Sequence, residues 1–154
     1  MPERRYVVLD LFIVHAITTE DDIMYLRTAS LLHKIIDNCH KIVLTPSLSR
    51  EYKTRLKQLE KRGYTNDRLF KIIKMLLSDT DKVVEKEDLT YDIPVRIPED
   101  DKMLVKAAVA AGGSTIIVTT NREHFIENLE LKEYLRSQKL NIEILSLEEA
   151  LHKL

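Results

Sequence analysis

The sequence predicts an α/β fold of three layers, in which helices cover both faces of a mainly parallel sheet of four to five strands. Short apolar runs such as YVVL, KIVL and TIIV alternate along the chain with amphipathic helical patterns. Alternation of this kind favours βαβ units, whose right-handed crossovers place helices on both faces of a sheet. A chain of 154 residues with 44% apolar content can bury one core, so we expect a single domain over residues 1–154.

The composition indicates a globular protein and excludes several classes. The 24 basic and 25 acidic residues leave a net charge of -1, so the bulk charge points to no partner. Cys39 is the only cysteine, which excludes an intrachain disulfide and suits a reducing cytoplasm, where we expect the protein. No run of ~20 apolar residues is present to span a membrane. The apolar N-terminal segment is interrupted by Asp10, so it predicts a core strand and not a signal peptide.

In the first half of the chain, two strands are each followed by a helical pattern. Tyr6–Leu9 is the first strand, and Lys41–Leu44 is the second. Thr19-Glu-Asp-Asp22 has capping-box spacing and opens a helix that runs to about Cys39. The apolar face of this helix is expected to comprise Ile23, Leu26, Ala29, Leu32, Ile35 and Ile36.

A basic helical pair is predicted at about residues 46–78. Thr45 caps the first helix and Pro46 begins it, Gly63 ends it, and the second helix covers residues 66–78. Residues 79–98 are acidic and are expected to be mainly a connection, with at most a short strand at Val83 and Val84.

The second half continues the alternation. Residues 101–111 form a helix with a narrow alanine face, which Gly112 and Gly113 end. Strands are expected at Thr115–Val118 and at residues 141–145. A last short helix is capped by Ser146-Leu-Glu-Glu149.

Carboxylates follow the predicted strands. Asp10 follows the first strand and Glu51 lies early in the helix after the second, and functional groups gather beyond the carboxyl ends of parallel strands. Asp101 opens a helix that leads into a strand, so topology alone does not place it at the same edge. Taken singly, these acids are ordinary helix-cap or surface residues. Converging carboxylates would need neutralisation, and Mg²⁺ and Mn²⁺ prefer such oxygen ligands.

Four segments in order resemble the PIN-domain ribonucleases over nearly the whole chain. They are the first strand with Asp10, Thr45-Pro-Ser-Leu-Ser-Arg-Glu51, Pro98-Glu-Asp-Asp-Lys-Met-Leu-Val-Lys-Ala-Ala108, and Ile116-Ile-Val-Thr-Thr-Asn-Arg-Glu-His-Phe125. The resemblance implies a PIN-like fold and an endoribonuclease that hydrolyses RNA with Mg²⁺ or Mn²⁺ and an activated water. It also implies as partners a homodimer and an antitoxin or other regulatory protein.

The resemblance assigns roles by position. The catalytic and metal-site positions are Asp10, Glu51 and Asp101, with Asp100 as the alternative metal ligand and Asn121 at the fourth acidic position. Thr119 and Ser47 are expected to orient the site. Asn121 removes one negative charge, so a second metal should bind weakly, although Glu123 is a candidate to replace the missing carboxylate. Leu11 and Phe12 also depart from the family, which more often has small polar residues there.

Charge patterning adds a candidate RNA-binding surface. Residues 50–74 contain nine basic against three acidic residues, whereas residues 79–101 contain nine acidic against three basic ones. A basic helical pair is a candidate track for a phosphate backbone, and Arg50, Lys53, Arg55 and Lys57 are its expected RNA-binding residues. The alternative is a solvated hairpin, or one paired with the acidic segment.

Two further functional hypotheses remain open. The departures at Asn121 and Leu11 suit a catalytically weakened PIN-like module that binds RNA or protein, and the helical pair suits a subunit of a larger RNA-processing assembly. The five histidines show no metal-ligand spacing, and the chain has no glycine-rich phosphate loop, which disfavours a nucleotide-cofactor enzyme.

Overall fold

A five-stranded, all-parallel sheet lies at the centre of the protein. The computed structural model describes residues 3–112 and 114–154. The strands are β1 (Tyr6–Leu9), β2 (Lys41–Leu44), β3 (Val83–Glu85), β4 (Thr115–Val118) and β5 (Ile142–Leu145), and their order across the sheet is β3-β2-β1-β4-β5. Helices flank this sheet, so the predicted α/β class with three layers is confirmed. The short strand expected at Val83 and Val84 is present as β3, which forms one edge of the sheet.

Strand β1 occupies the centre of the sheet and sets the position of the first carboxylate. Val7 pairs with Ile42 of β2 on one side, and Leu9 pairs with Val118 of β4 on the other. Val7 and Leu9 are essentially inaccessible to solvent, as a run of apolar residues with strands on both sides requires. The Asp10 backbone N–H continues the ladder by donating to the Val118 carbonyl at 3.0 Å, so Asp10 stands at the carboxyl edge.

Seven helices surround the sheet in the described chain. They are α1 (Phe12–His15), α2 (Asp22–Asp37), α3 (Pro46–Lys61), α4 (Arg68–Ser78), α5 (Glu99–Ala111), α6 (Leu129–Ser137) and α7 (Leu147–Lys153). Of these, α1 and α6 were not expected from the sequence. The Ser146 capping box of α7 is confirmed, with both reciprocal hydrogen bonds present. None of the described helices is long and apolar enough to cross a membrane.

The expected apolar face of α2 is partly wrong. Its buried residues are Thr28, Leu31, Leu32 and Ile35, whereas Ile23 and Leu26 have exposed fractions of 61% and 64%. Each i+3 step on an α-helix leaves about 60° of rotation, so a chain of such steps drifts around the helix. The expected N-cap was also wrong. Asp21 caps α2 by accepting from the backbone N–H groups of residues 23 and 24, and the Thr19 hydroxyl accepts from the Asp21 N–H instead.

Helix α5 bridges the sheet and carries the second carboxylate. It packs against β1, β4 and β2 through a buried face that includes Ala107 and Ala108. It begins at Glu99, two residues earlier than expected, and Gly112 ends it in the left-handed conformation with φ of 64°. The expected role of Gly113 in this helix end lies outside the described residues.

The connection that precedes α5 is tied to that helix. Asp92 accepts from Lys102 at 3.2 Å and lies 3.6 Å from the Lys106 ammonium. Ile93 and Val95 of the same segment are buried in the core. These contacts fix the start of α5 relative to the sheet.

Candidate functional site

Asp10 is held in one orientation at the carboxyl edge of the sheet. Its Oδ1 accepts from the Leu11 backbone N–H at 2.6 Å, and its Oδ2 accepts from the Thr119 hydroxyl at 2.7 Å. Thr119 is fully buried and directly follows β4. Because β1 and β4 are parallel neighbours, the residues that follow them meet at one edge of the sheet. Each carboxylate oxygen keeps a further lone pair for a ligand.

Asp101 lies in the first turn of α5, near enough to Asp10 for their charges to interact. The side chain of Asp101 is 15% exposed. Burial raises the pKa of the Asp101 carboxyl, a hydrogen bond from His124 opposes the shift, and the charges of Asp10 and Asp100 add to it. Asp100 is exposed, so Asp101 is the acid that turns toward the site.

The expectation that topology alone would not bring Asp101 to this edge was wrong. A crossover helix in a parallel sheet runs opposite to the strands, because it must return the chain to the amino edge before the next strand begins. The start of α5 therefore lies at the carboxyl edge, and its first turn contains Asp101. No special packing is needed to explain the meeting of Asp10 and Asp101.

A π-helical turn at Arg122–Ile126 adds a histidine that sequence reasoning missed. His124 Nδ1 lies 2.7 Å from Asp101 Oδ2 and 3.1 Å from the Asn121 side-chain nitrogen, so the tautomer of the ring decides which of the two it bonds. The Asn121 side-chain oxygen accepts from the His124 backbone N–H at 3.0 Å, and the Asn121 N–H donates to the Thr119 hydroxyl oxygen at 3.0 Å. One connected set of contacts thus runs from Asp10 through Thr119, Asn121 and His124 to Asp101.

The sequence signal that could have identified His124 is its place in the chain and not its spacing to other histidines. It lies in the first helical turn after β4, three residues beyond Asn121, and this turn follows the same sheet edge as Asp10. Glu123, the candidate replacement for the missing acid, is exposed in that turn.

Glu51 and Ser47 have partners outside this set. Glu51 accepts from Arg55 Nε at 3.1 Å, one turn along α3, and the Ser47 hydroxyl donates to Asp88 at 2.9 Å. The residue beside Glu51 does reach the site, since the buried Tyr52 hydroxyl contacts the backbone carbonyl of Asp10 at 3.2 Å. In the parts of the chain that the structure describes, no three His, Cys, Asp or Glu side chains form a group that would hold a metal.

The basic helical pair presents unneutralised charge to solvent. Arg50, Lys53 and Lys57 are exposed on α3. Within residues 3–112 and 114–154, none of the nine basic side chains of residues 50–74 forms a salt bridge with an acid of residues 79–101. Among the acids of the connection, Asp92 pairs instead with Lys102 and Lys106 of α5. The basic surface is therefore free to attract an anion.

The fold and the site define an α/β protein with two carboxylates at the carboxyl edge of a parallel sheet. Comparisons with protein-family models, with curated proteins and with solved structures gave no match.

Proposed function

We propose that this chain is a metal-dependent endoribonuclease, in which Asp10 and Asp101 hold one Mg²⁺ or Mn²⁺ ion. The observation that carries the proposal is the connected set of contacts that runs from Asp10 through Thr119, Asn121 and His124 to Asp101 and holds two acids at one edge of the sheet. Burial raises the pKa of Asp101, and the negative charge of Asp10 adds to this shift. In the described chain, neither carboxylate pairs with a lysine or an arginine. A divalent cation would relieve this repulsion. The order of the acidic segments, which resembles that of PIN-domain ribonucleases, supports RNA as the substrate.

The donor set fits one hard cation. Mg²⁺ in phosphoryl-transfer sites is typically bound by one or two carboxylates and keeps several waters. Asp10 and Asp101 supply two, whereas Glu51 pairs with Arg55 and Asn121 carries no charge. We therefore propose one ion and not two. When bound, it would supply stabilisation of the charge that develops on the phosphate oxygens.

The surrounding residues orient the carboxylates and attract the substrate. Thr119 and the Leu11 N–H fix the Asp10 carboxylate, and His124 fixes the Asp101 carboxylate from the opposite side. Preorganised groups of this kind need little rearrangement when a ligand binds. Exposed cations on α3, among them Lys53, provide the sequence-independent attraction that phosphate backbones require.

Calorimetric titration with Mn²⁺ tests the metal site directly. We expect the wild-type chain to bind Mn²⁺, and we expect Asp10→Asn and Asp101→Asn each to abolish the binding heat. Asp100→Asn is the matched control, because it removes the same charge from the neighbouring exposed position and should leave binding intact.

Cleavage of a labelled single-stranded RNA tests the activity. We expect cleavage that requires Mn²⁺ or Mg²⁺ and that is lost in Asp10→Asn and Asp101→Asn but retained in Asp100→Asn. Cleavage that persists in chelator, or that survives both active-site substitutions, would contradict the proposal.

A PIN-like RNA-binding module without catalysis is the second candidate, and a specific observation favours it. The Asn121 side-chain oxygen is already used as the cap of the π-helical turn, so it is poorly placed to serve as a fourth ligand. On this reading the chain binds RNA through α3 and releases no cleavage product at any Mn²⁺ concentration. Tight RNA binding in chelator together with no Mn²⁺ binding heat would select this candidate.

A further inference from the structure

A groove lies between α3 and α4, and the function proposed above uses only the charge of its exposed lysines. Its volume is about 380 Å³. Tyr52, Leu56 and Leu77 form its apolar floor, and Lys53, Lys57 and Lys74 stand at its rim. Small-molecule sites typically occupy ~300–1,000 Å³ and combine an apolar lining with a few polar groups. The groove falls at the small end of that range.

We propose that this groove binds one nucleotide of a single-stranded RNA, with the base against the apolar floor and the phosphates beside Lys53 and Lys57. The proposal rests on the proposed function only in taking RNA as the ligand. It adds a binding site for one unpaired base, since only an unpaired nucleotide can place its base in a groove. Bases in duplex RNA are stacked and paired, and proteins read such duplexes through backbone and shape.

The charge at the rim favours an anionic ligand. Lys53 and Lys57 lie one turn apart on α3, both are exposed, and neither forms a salt bridge in the described chain. Lys74 Nζ lies 2.7 Å from Glu60 Oε1 in a salt bridge, so the charges of these two side chains cancel. The free positive charge of the groove is therefore concentrated at the two α3 lysines.

The apolar floor requires more than an inorganic anion. Leu77 is the partly exposed member of the floor, whereas Tyr52 and Leu56 are at least 90% buried, so the apolar surface that a ligand would cover lies mainly at Leu77. A nucleotide combines a flat base with an anionic phosphate in one unit. Contact of bases with protein side chains together with a cationic groove is the usual arrangement of single-strand binding sites.

Tyr52 joins the groove to the carboxylate site. Its side chain lines the groove, and its hydroxyl contacts the Asp10 backbone carbonyl at 3.2 Å. The two regions are therefore separated by about one side chain.

Fluorescence anisotropy with a labelled, unstructured RNA of about 12 nucleotides tests the proposal, since single-strand sites cover ~4–16 nucleotides. Measurements are made in chelator, so that binding is independent of the metal site. We expect Lys53→Glu combined with Lys57→Glu to weaken binding about tenfold more than Lys61→Glu combined with Lys71→Glu. The second pair is matched, because Lys61 of α3 and Lys71 of α4 are both exposed, carry the same charge and lie outside the groove.

A substitution without a charge change tests the floor. Ser78 is exposed at the groove, and Ser78→Phe would fill it. We expect this variant to weaken RNA binding about tenfold, by excluding one base, and to leave the salt dependence unchanged. The loss of the two rim lysines should instead lower the slope of log K against log[salt] by about 0.7 for each phosphate contact. Thermal unfolding of each variant confirms that it is folded.

Two results would contradict the proposal that the groove binds a nucleotide of RNA. Equal losses in the two lysine pairs, with no effect of Ser78→Phe, would show diffuse attraction only. Displacement of the RNA by a poly-glutamate peptide of equal length, at the same concentration as unlabelled RNA, would show an acidic-peptide site.

The two proposals fail separately. If groove variants lose RNA binding but the wild-type chain shows no Mn²⁺-dependent cleavage, the nuclease proposal fails and the groove stands. If the wild-type chain cleaves RNA and groove variants bind and cleave normally, the groove proposal is wrong and the nuclease proposal is supported.

Discussion

Replacement of Thr119 by valine removes the hydroxyl that holds Asp10 and preserves the shape of the side chain. The hydroxyl donates to Asp10 Oδ2 at 2.7 Å and accepts from the Asn121 N–H at 3.0 Å, and Thr119 is fully buried. Valine therefore leaves one carboxylate oxygen and one backbone N–H without their partner. Among residues 3–112 and 114–154, no other hydrogen bond to Asp10 Oδ2 or to the Asn121 N–H is present.

The expected cost follows from the type of each bond. A hydrogen bond to a charged group contributes about 1.5–3 kcal/mol, and a neutral one about 0.5–1.5 kcal/mol. We therefore expect Thr119→Val to lower the free energy of unfolding by about 2–4 kcal/mol. For a chain of this length each kcal/mol corresponds to roughly 2–4 °C in the unfolding temperature.

Urea and thermal unfolding in chelator measure this change. Thr119→Ser keeps the hydroxyl and should recover most of the lost stability. The neighbouring Thr120 is exposed, so Thr120→Val is the matched control and should change stability by less than about 0.5 kcal/mol. If Thr119→Val and Thr120→Val have the same small effect, the hydroxyl does not hold Asp10, and the argument for a preorganised site is refuted.

Two further predictions concern pH and charge. Burial lowers the pKa of His40, the hydrogen bond to the Leu154 carbonyl opposes this shift, and the charge of Arg5 adds to it. As the pH falls, His40 is therefore protonated at a higher pH in the unfolded chain than in the folded protein. The unfolding temperature should therefore be constant above about pH 6.5 and should decrease as the pH falls below that value. We expect His40→Gln to reduce this decrease, whereas His33→Gln at an exposed position should not change it. Asp101 has a raised pKa, so its ionised form opposes folding at neutral pH without a cation. Asp101→Asn should then unfold in chelator at the same temperature as wild type or higher, and a clearly lower temperature would show that its contact with His124 outweighs the repulsion.

The fold was predictable where one physical cause dominates. The three tetrapeptide runs YVVL, KIVL and TIIV are buried strands in the centre of the sheet, because a run this apolar must be covered on both faces. Helix α6 was missed because its sequence, LELKEYLRS, is polar and short, so its burial depends on tertiary contacts that periodicity does not report. The drift of the α2 face has a similar origin. Each apolar residue fits the helical period with its neighbour, but the packing of α2 against α7 and α4 decides which side is buried.

The site was predictable to the extent that backbone topology determines it. Asp10 and Thr119 follow neighbouring parallel strands, so their meeting required only the strand order. Glu51 was expected at the site from its position, but Arg55 one turn later provides a local partner. An i, i+4 ion pair of this kind forms within one helix and needs no tertiary structure. Local pairing thus competes with assembly of the site, and neither charge pattern nor spacing reports which prevails.

The histidine in the site is a consequence of backbone geometry. The Glu127 N–H donates to the Arg122 carbonyl at 2.7 Å, which closes the wide turn of a π-helix, and π-helical turns often occur at functional sites. Asn121 caps this turn at its start and the fully buried Phe125 anchors it, so His124 between them has its direction fixed toward Asp101. An uncharged residue at position 121 builds this turn without adding a third negative charge to the cleft. Two carboxylates then carry the charge of the site, and two negative charges are what a single divalent cation neutralises.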